Sequence, residues 1–376
     1  MSSIVAWLRW TTKAMQRLRL FFSCANLRWT NLRWANLRWA SPLLALAVGV
    51  GAIAAMNSAS RSATSPRFDG FNVIATPADP FGSTAADEAL AQAKGLGASA
   101  VAVIPFLWQP GPASPDLVRG KDINDDELRA AIRQAHARGL AVVVKPHVWV
   151  PQSWAGAIVM SSETDWRQWF ANYGREITHI AEIAEAEKAE ALAIGTELAQ
   201  TSREPQWREI IDNVRAAFSG RLLYVAHNVD EAETVPFWNR LDAIGVSLYP
   251  PLGSDADRDY RRAAMAQIAD RLDMLALIYR KPIVVAEIGL RSAAGAAAKP
   301  WESPEERAAA ADPQLQADVL GDWLTTLKRP SVEGVLIWRW FTDPDAGGLA
   351  DTDFTVQGKP AEHVLQCAWT QSCGHG

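Results

Sequence analysis

The sequence predicts an α/β fold, a single (β/α)8 barrel preceded by a basic N-terminal segment and one hydrophobic helix. Three observations predict it. From Phe68 onward, short β-branched runs alternate with longer Ala-rich amphipathic stretches, the pattern of repeated βαβ units and a parallel sheet. The runs number eight. They are spread over roughly 300 residues, which suits a closed eight-fold barrel, whereas a six-stranded open sheet would leave two over. No Gly-x-Gly-x-x-Gly follows the first run, so a dinucleotide fold is not indicated.

The elements follow in order. Predicted strands cover Phe71–Ala75, Ser99–Pro105, Ala141–His147, Ala191–Glu197, Leu222–Ala226, Ala243–Leu248, Ile283–Glu287 and Val335–Trp338. Between them, helices are predicted near 84–95, 125–138, 165–189, 205–218, 257–279 and 312–328, with a shorter one near 232–239. Asp125, Asp126 and Glu127 open one helix at its positive end, and Gly139 closes it where the chain turns left-handed.

Ahead of this body lie three predicted segments: a basic Trp/Arg-rich cytoplasmic stretch over 1–40, a signal peptide or membrane anchor over 41–56, and a linker over 57–67. Residues 1–67 carry nine Arg or Lys and no acid, although the whole chain has a net charge of −5. That leaves 28 basic against 42 acidic residues in the body, a net −14, which repels a nucleic-acid backbone and excludes it as a partner. The uncharged run Ala40–Met56 spans 17 residues behind seven Arg or Lys, a positive-inside signal. Its length falls between a signal-peptide core and a spanning helix, so export and anchoring both stay open. Either way the barrel reaches the periplasm or cell surface. Asn26-Leu-Arg-Trp, Asn31-Leu-Arg-Trp and Asn36-Leu-Arg-Trp repeat every five residues; Trp and Arg suit a membrane interface, and a tolerated repeat expansion accounts for them equally well. Cys367 and Cys373 are spaced to close a short disulfide loop in an exported protein. No Cys/His spacing supports zinc, and neither metal nor cofactor is predicted.

In such a barrel the chemistry sits at the C-terminal ends of the strands. Here those ends read Phe106-Leu-Trp108, Lys145-Pro-His147-Val-Trp149, Thr196-Glu197, His227-Asn228, Ser247-Leu-Tyr249, Ala286-Glu287 and Trp338-Arg-Trp340. A carboxylate that finishes a buried apolar run such as Ile283-Val-Val-Ala-Glu287 needs a cation, a hydrogen-bond network or a catalytic purpose. Two of them, Glu197 and Glu287, finish the fourth and seventh runs, nearly across the barrel from each other. Glycoside hydrolysis needs such a pair, one to protonate the leaving oxygen and one to act on the opposite face of the sugar. Trp108, Trp149, Trp154, Trp338 and Trp340 offer apolar faces for pyranose rings. His147, His227 and Asn228 are candidate partners of sugar hydroxyls or carboxylates, and Lys145 either joins them or bonds a carboxylate inside the barrel. The small-residue loop Leu290–Glu302 is a candidate lid over the cleft.

Glutamates ending strands 4 and 7, a Tyr ending strand 6 and a Trp ending strand 8 resemble the clan A retaining glycoside hydrolases. Ile194-Gly-Thr-Glu-Leu198, Ser247-Leu-Tyr-Pro-Pro251, Val285-Ala-Glu-Ile-Gly289 and Val335-Leu-Ile-Trp-Arg-Trp340 together resemble glycoside hydrolase family 113, a β-mannanase family, over essentially all of 68–365. The resemblance implies Glu197 as acid/base, Glu287 as nucleophile and Tyr249 as the nucleophile's hydrogen-bond partner. Thr196 stands where the clan usually has Asn before the acid/base, which bears on the contact to the sugar 2-hydroxyl. The expected partner is thus a β-linked polysaccharide, β-1,4-mannan or a related exopolysaccharide, taken by a monomeric barrel over 68–376. Two other readings remain: a metal-dependent barrel enzyme, which would want its ligands on neighbouring strands, and a catalytically silent glycan-binding barrel in envelope or exopolysaccharide assembly.

Overall fold

The computed structural model describes residues 67–370 and 372–373. The basic segment 1–40, the apolar run 41–56 and linker residues 57–66 lie outside the described residues, and so do the expectations attached to them. Among the described residues no helix is long and apolar enough to cross a membrane.

Alternation of apolar strands and helices closes here into an eight-stranded parallel barrel. In chain order its strands are β1 (Gly70–Ile74), β2 (Ala100–Val103), β5 (Ala141–Val144), β7 (Ala191–Thr196), β8 (Arg221–His227), β9 (Ala243–Leu248), β10 (Ile283–Ile288) and β11 (Val332–Phe341), and β1 pairs with both β2 and β11 to shut the ring. Each strand is followed by one helix: α1 (Thr84–Gly95), α2 (Asp125–Ala137), α3 (Glu163–Ala186), α4 (Trp207–Ala217), α5 (Asn228–Ala232), α6 (Arg258–Tyr279), α7 (Pro313–Thr326) and α8 (Pro360–Thr370). Asn124 and Glu127 form a capping box at the start of α2, and Gly139 (φ 67°) follows its end. The shorter predicted helix near 232–239 is instead α5 followed by a 3-10 turn over Trp238–Arg240.

Period-two alternation divides each strand between two cores. Ala191 and Ala193 of β7 and Val284 and Ala286 of β10 join Phe68, Ala100, Ala102, Val143, Leu223, Val225 and Leu336 in one cluster, the barrel interior. Leu192, Ile194, Ile283 and Val285 join the larger cluster shared with the helices. The interior is built largely from small and β-branched side chains, as a narrow cylinder requires.

Pro105 and Pro146 interrupt the second and third barrel strands at matching places, since neither can donate to a ladder. Beyond them the chain makes a separate three-stranded sheet that the sequence analysis did not anticipate: β3 (Phe106–Trp108) and β6 (His147–Trp149) run parallel, and β4 (Val118–Arg119) pairs antiparallel with β3. This sheet rises directly from the strand ends, and its register sets Trp108 beside Trp149. At the other end of the chain, Cys367 and Cys373 are joined as a disulfide, with Cα atoms 5.0 Å apart.

Candidate active site

Strict alternation along β10 would send Glu287 outward, because Val284 and Ala286 point in and Val285 points out. The register against β9 slips between Val285 and Glu287, so Ala286 is an extra residue and Glu287 stands opposite Ser247. Such a bulge re-aims a side chain. Glu287 thereby meets Lys145, which follows Val143 by two positions on the inward face and is 1% exposed; the Lys145 ammonium bonds Oε2. The Tyr249 hydroxyl donates to Oε1 at 2.9 Å. Burial, then the charge and hydrogen bond of Glu287, push the Tyr249 pKa well above its ordinary value, so the phenol stays a donor. Two donors thus fix the two oxygens of one carboxylate. Beneath them, the Asn72 amide donates to the carbonyl of bulged Ala286 at 3.1 Å and to that of Leu336 at 3.3 Å.

Glu197 is placed by different means. The ladder of β7 on β8 also slips, between Ala193 and Thr196. Gly195 lies in this irregularity, where a Cβ would come within 2.8 Å of Trp207 and 3.0 Å of Tyr224. The next turn puts Glu197 in the left-handed region (φ 56°), an unusual conformation for a non-glycine and one concentrated at functional sites. Its N–H donates to the Val225 carbonyl at 2.7 Å. Its Oε1 accepts from the Ser247 hydroxyl and lies 3.1 Å from His227 Nδ1. Among the described residues Oε2 takes no hydrogen bond. Burial opposes charge on this carboxyl, but the hydrogen bond to His227, the nearby His227 and His147 imidazoles and the Ser247 hydroxyl together hold its pKa below the ordinary value.

The two glutamates share one field: His147, His227 and Tyr249 each lie close enough to feel both carboxylates. Around them stand aromatic rings. Trp108 and Trp149 have centroids 6.0 Å apart and are 42% and 49% exposed on the small sheet, unusual for tryptophans. Trp154 is also exposed and lies 4.7 Å, centroid to centroid, from the His227 ring. Trp338, which precedes a cis peptide bond to Arg339, lies with its ring centroid 5.5 Å from the Lys145 ammonium. A barrel mouth with two carboxylates held by unlike partners and rimmed by exposed indoles is suited to acid–base cleavage of a glycosidic bond.

Residues 71–359 match Glycoside Hydrolase Family 113. The chain belongs to that family. It is a glycoside hydrolase with the barrel fold that the family resemblance implied. Among solved structures, it is similar to a GH113 β-1,4-mannanase at 28% identity, with 82% of this chain and 100% of that one covered and a TM-score of 0.72. The GH113 β-mannanase AaManA from Alicyclobacillus acidocaldarius matches at 24% identity over 81% of this chain and 98% of that one, with a TM-score of 0.74. A β-glucuronidase from Lactobacillus rhamnosus shares the fold at 15% identity, covering 81% of this chain and 50% of that one, with a TM-score of 0.57. A comparison with curated proteins finds no match.

Of the side chains singled out in the hydrolase's sequence, Glu197, Glu287, Tyr249, His147, His227, Asn228 and Trp338 gather at the strand ends. Burial pushes the pKa of His147 down, and its Nδ1 is a buried nitrogen with no partner among the described residues. His227 bonds a carboxylate, and the Asn228 amide is engaged at both ends, by Tyr249 N–H and by His227, so it is a link in the protein's own network. Two residues fall elsewhere. Trp340 is fully buried, donates from its indole to the Ala89 carbonyl at 3.0 Å and packs 4.6 Å from Phe71, so it belongs to the core between β11 and α1. The physical reason is a register slip: Trp338 pairs with inward Asn72 and Trp340 with outward Val73, leaving Arg339 as an extra residue that sends the two indoles to opposite faces. Thr196 is 1% exposed and its hydroxyl donates to the Pro146 carbonyl at 2.9 Å, so it braces the third strand end.

The loop after β10, a candidate lid, is held closely to the body. Buried Arg291 donates to the carbonyls of Thr352, Ser303 and Arg307, and the Asp255 carboxylate accepts from the N–H groups of Gly295 and Ala297, so the segment is pinned from both sides. For Trp340→Ala we expect a loss of about 3–5 kcal/mol in denaturant unfolding, the cost of emptying a buried indole site, with KM for an oligosaccharide unchanged. A raised KM with intact stability would return Trp340 to the substrate cleft.

Asn72 and Ser247 also serve the site, although the sequence assigns neither a role. Asn72 had a usable signal, being the lone polar residue in Gly70-Phe-Asn-Val-Ile74, all buried or nearly so, where a polar group needs partners. Ser247 lacked one, since its importance depends on a bulge in another strand.

Proposed function

We propose that this hydrolase cleaves β-1,4-mannan or a closely related β-glycan with retention of configuration, Glu197 serving as acid/base and Glu287 as nucleophile. The observation that carries the assignment is the asymmetry of the two carboxylates: Glu287 has both oxygens fixed by donors, whereas Glu197 has one oxygen fixed and Oε2 without a partner among the described residues. An attacking group must be held still, and a group that gives and takes a proton needs an oxygen facing the substrate. The similar solved structures include β-mannanases of the same family, which supports the choice of mannan.

In the first step Glu197 passes a proton to the glycosidic oxygen as a Glu287 oxygen bonds the anomeric carbon and the leaving bond breaks. Water then gives its proton to Glu197 and attacks the same carbon, releasing Glu287. Lys145 and Tyr249 keep Glu287 aimed throughout. Trp338 floors the reacting sugar, and Trp108, Trp149 and Trp154 stack further sugar units of a chain too long to be enclosed. The chain is exported, on the strength of the basic segment 1–40 and the apolar run 41–56; sequencing the N-terminus of protein from membrane and periplasmic fractions distinguishes anchor from cleaved signal.

The test is hydrolysis by the full-length chain of mannan, glucomannan, mixed-linkage glucan and exopolysaccharide, with the first-formed product anomer read by proton NMR. Cleavage of mannan to a β-anomer is expected. Cleavage of mixed-linkage glucan alone would refute the substrate, and an α-anomer would refute the mechanism.

A further inference from the structure

A single amide joins the partners of the two carboxylates. Tyr249, whose hydroxyl holds Glu287, gives its backbone N–H to Asn228 Oδ1 at 2.9 Å. Across the same amide, Asn228 Nδ2 lies 3.1 Å from His227 Nε2, and His227 Nδ1 lies 3.1 Å from Glu197 Oε1. A backbone N–H can only donate, so the amide atom facing Tyr249 must be oxygen, and the atom facing His227 must be the NH2 group. That group can only donate in turn. Nε2 must therefore accept, which leaves the ring proton on Nδ1, pointed at Glu197.

We propose that Asn228 is a positioning residue that selects the tautomer of His227, keeping it a neutral Nδ1–H donor to Glu197 so that the acid/base is oriented without being paired to a fixed positive charge. The proposal rests on the assignment of Glu197 as acid/base. Other groups pull the opposite way. Glu197 from the end of β7, Glu231 from α5, whose carboxylate accepts the His227 backbone N–H at 2.6 Å, and Glu287 from β10 all favour a charged ring, and Trp154 presents its indole beside it. Burial opposes that charge, yet the hydrogen bond and charge of Glu197, with Glu231 and Glu287, outweigh it and hold the His227 pKa above its ordinary value. His147 is the other imidazole beside Glu197, and burial pushes the Glu231 carboxyl up to about 7, which thins its negative charge near neutral pH. The amide geometry works against that shift, because a charged ring would set Nε2–H against N–H, and Tyr249 N–H on Oδ1 keeps the amide from turning over. Asn is also suited to the backbone here, at φ 55°, in the left-handed region where Asn and Asp are enriched.

The discriminating change is Asn228→Asp, which tolerates the same backbone, still accepts from Tyr249 N–H, and offers Nε2 an acceptor in place of a donor. His227 then charges. An imidazolium against Glu197 stabilises its carboxylate, so the protonated acid is lost at lower pH, and the alkaline limb of kcat/KM should move down by about one to three pH units. In the full-length wild-type chain, long-range proton–nitrogen NMR of 15N-histidine, with the His227 signals identified by their absence in His227→Gln, should show one protonated and one bare ring nitrogen across the active pH range. Two protonated nitrogens in the wild type near neutral pH would overturn the proposal, even if Asn228→Asp proved unfolded. An unshifted alkaline limb in folded Asn228→Asp would overturn it as well. The tautomer is read without substrate, so its failure leaves the roles of Glu197 and Glu287 standing; failure of those roles would show in the carboxylate variants instead and would remove the catalytic purpose of the tautomer.

Discussion

Glu287→Gly is expected to lower hydrolysis of the β-glycan on the order of 10⁴-fold or more, since no other group can form the covalent bond to the anomeric carbon. Azide should restore part of the turnover, and the stereochemistry of the product identifies the role. With the nucleophile gone, azide enters the space it vacated, attacks the β-glycoside from the α face and gives an α-glycosyl azide. The substitution also strands Lys145, 1% exposed and paired to Glu287, as a buried cation without a counter-charge. A fall in stability of several kcal/mol is therefore expected alongside the lost activity, and thermal unfolding should be recorded with the kinetics. Undiminished hydrolysis by Glu287→Gly, or a β-azide product, would overturn the assignment.

The sequence carried the fold because burial on both faces of a parallel barrel writes each strand as an uninterrupted apolar run. The runs Ala243–Leu248 and Ile283–Glu287 coincide with β9 and β10 to within a residue. It carried the two glutamates because an acid after such a run is conspicuous. What it could not carry is the facing of side chains where the ladder slips. Trp338 and Trp340, two apart, should share a face, yet the irregularity around Arg339 separates them. Glu287 owes its inward position to the opposite kind of luck, since period two alone would send it out and the extra residue Ala286 turns it back. Bulges leave little trace in one sequence, because what marks them is a mismatch between two strands. The sheet of β3, β4 and β6 was missed for a related reason: two or three residues beyond a proline give no periodicity to count. Lys145 was legible in part, its two readings separated only by the structure, which bonds it to Glu287.

Glu197→Gln should produce a loss that depends on the leaving group, and that dependence is the sharper test of its role. An unactivated glycan needs a proton on the departing oxygen, so its cleavage should fall by about 10²–10⁴-fold. An aryl glycoside with a strongly acidic phenol leaves unaided; its first step should be nearly spared, and the loss should move to the second step, where Glu197 would have deprotonated water. The covalent intermediate then accumulates, appearing as a burst of phenol followed by slow turnover and a lowered KM. Azide needs no base and should speed that slow step, giving this time a β-glycosyl azide, since it attacks an intermediate already inverted by Glu287. The fold should tolerate the change, as glutamine can still accept from Ser247 and His227 on one atom and the altered group lies at Oε2, which meets no donor among the described residues. If the loss proves equal for glycan and activated aryl glycoside, with no burst, Glu197 is not the proton donor. The free oxygen on which the assignment depends would then have to serve binding alone.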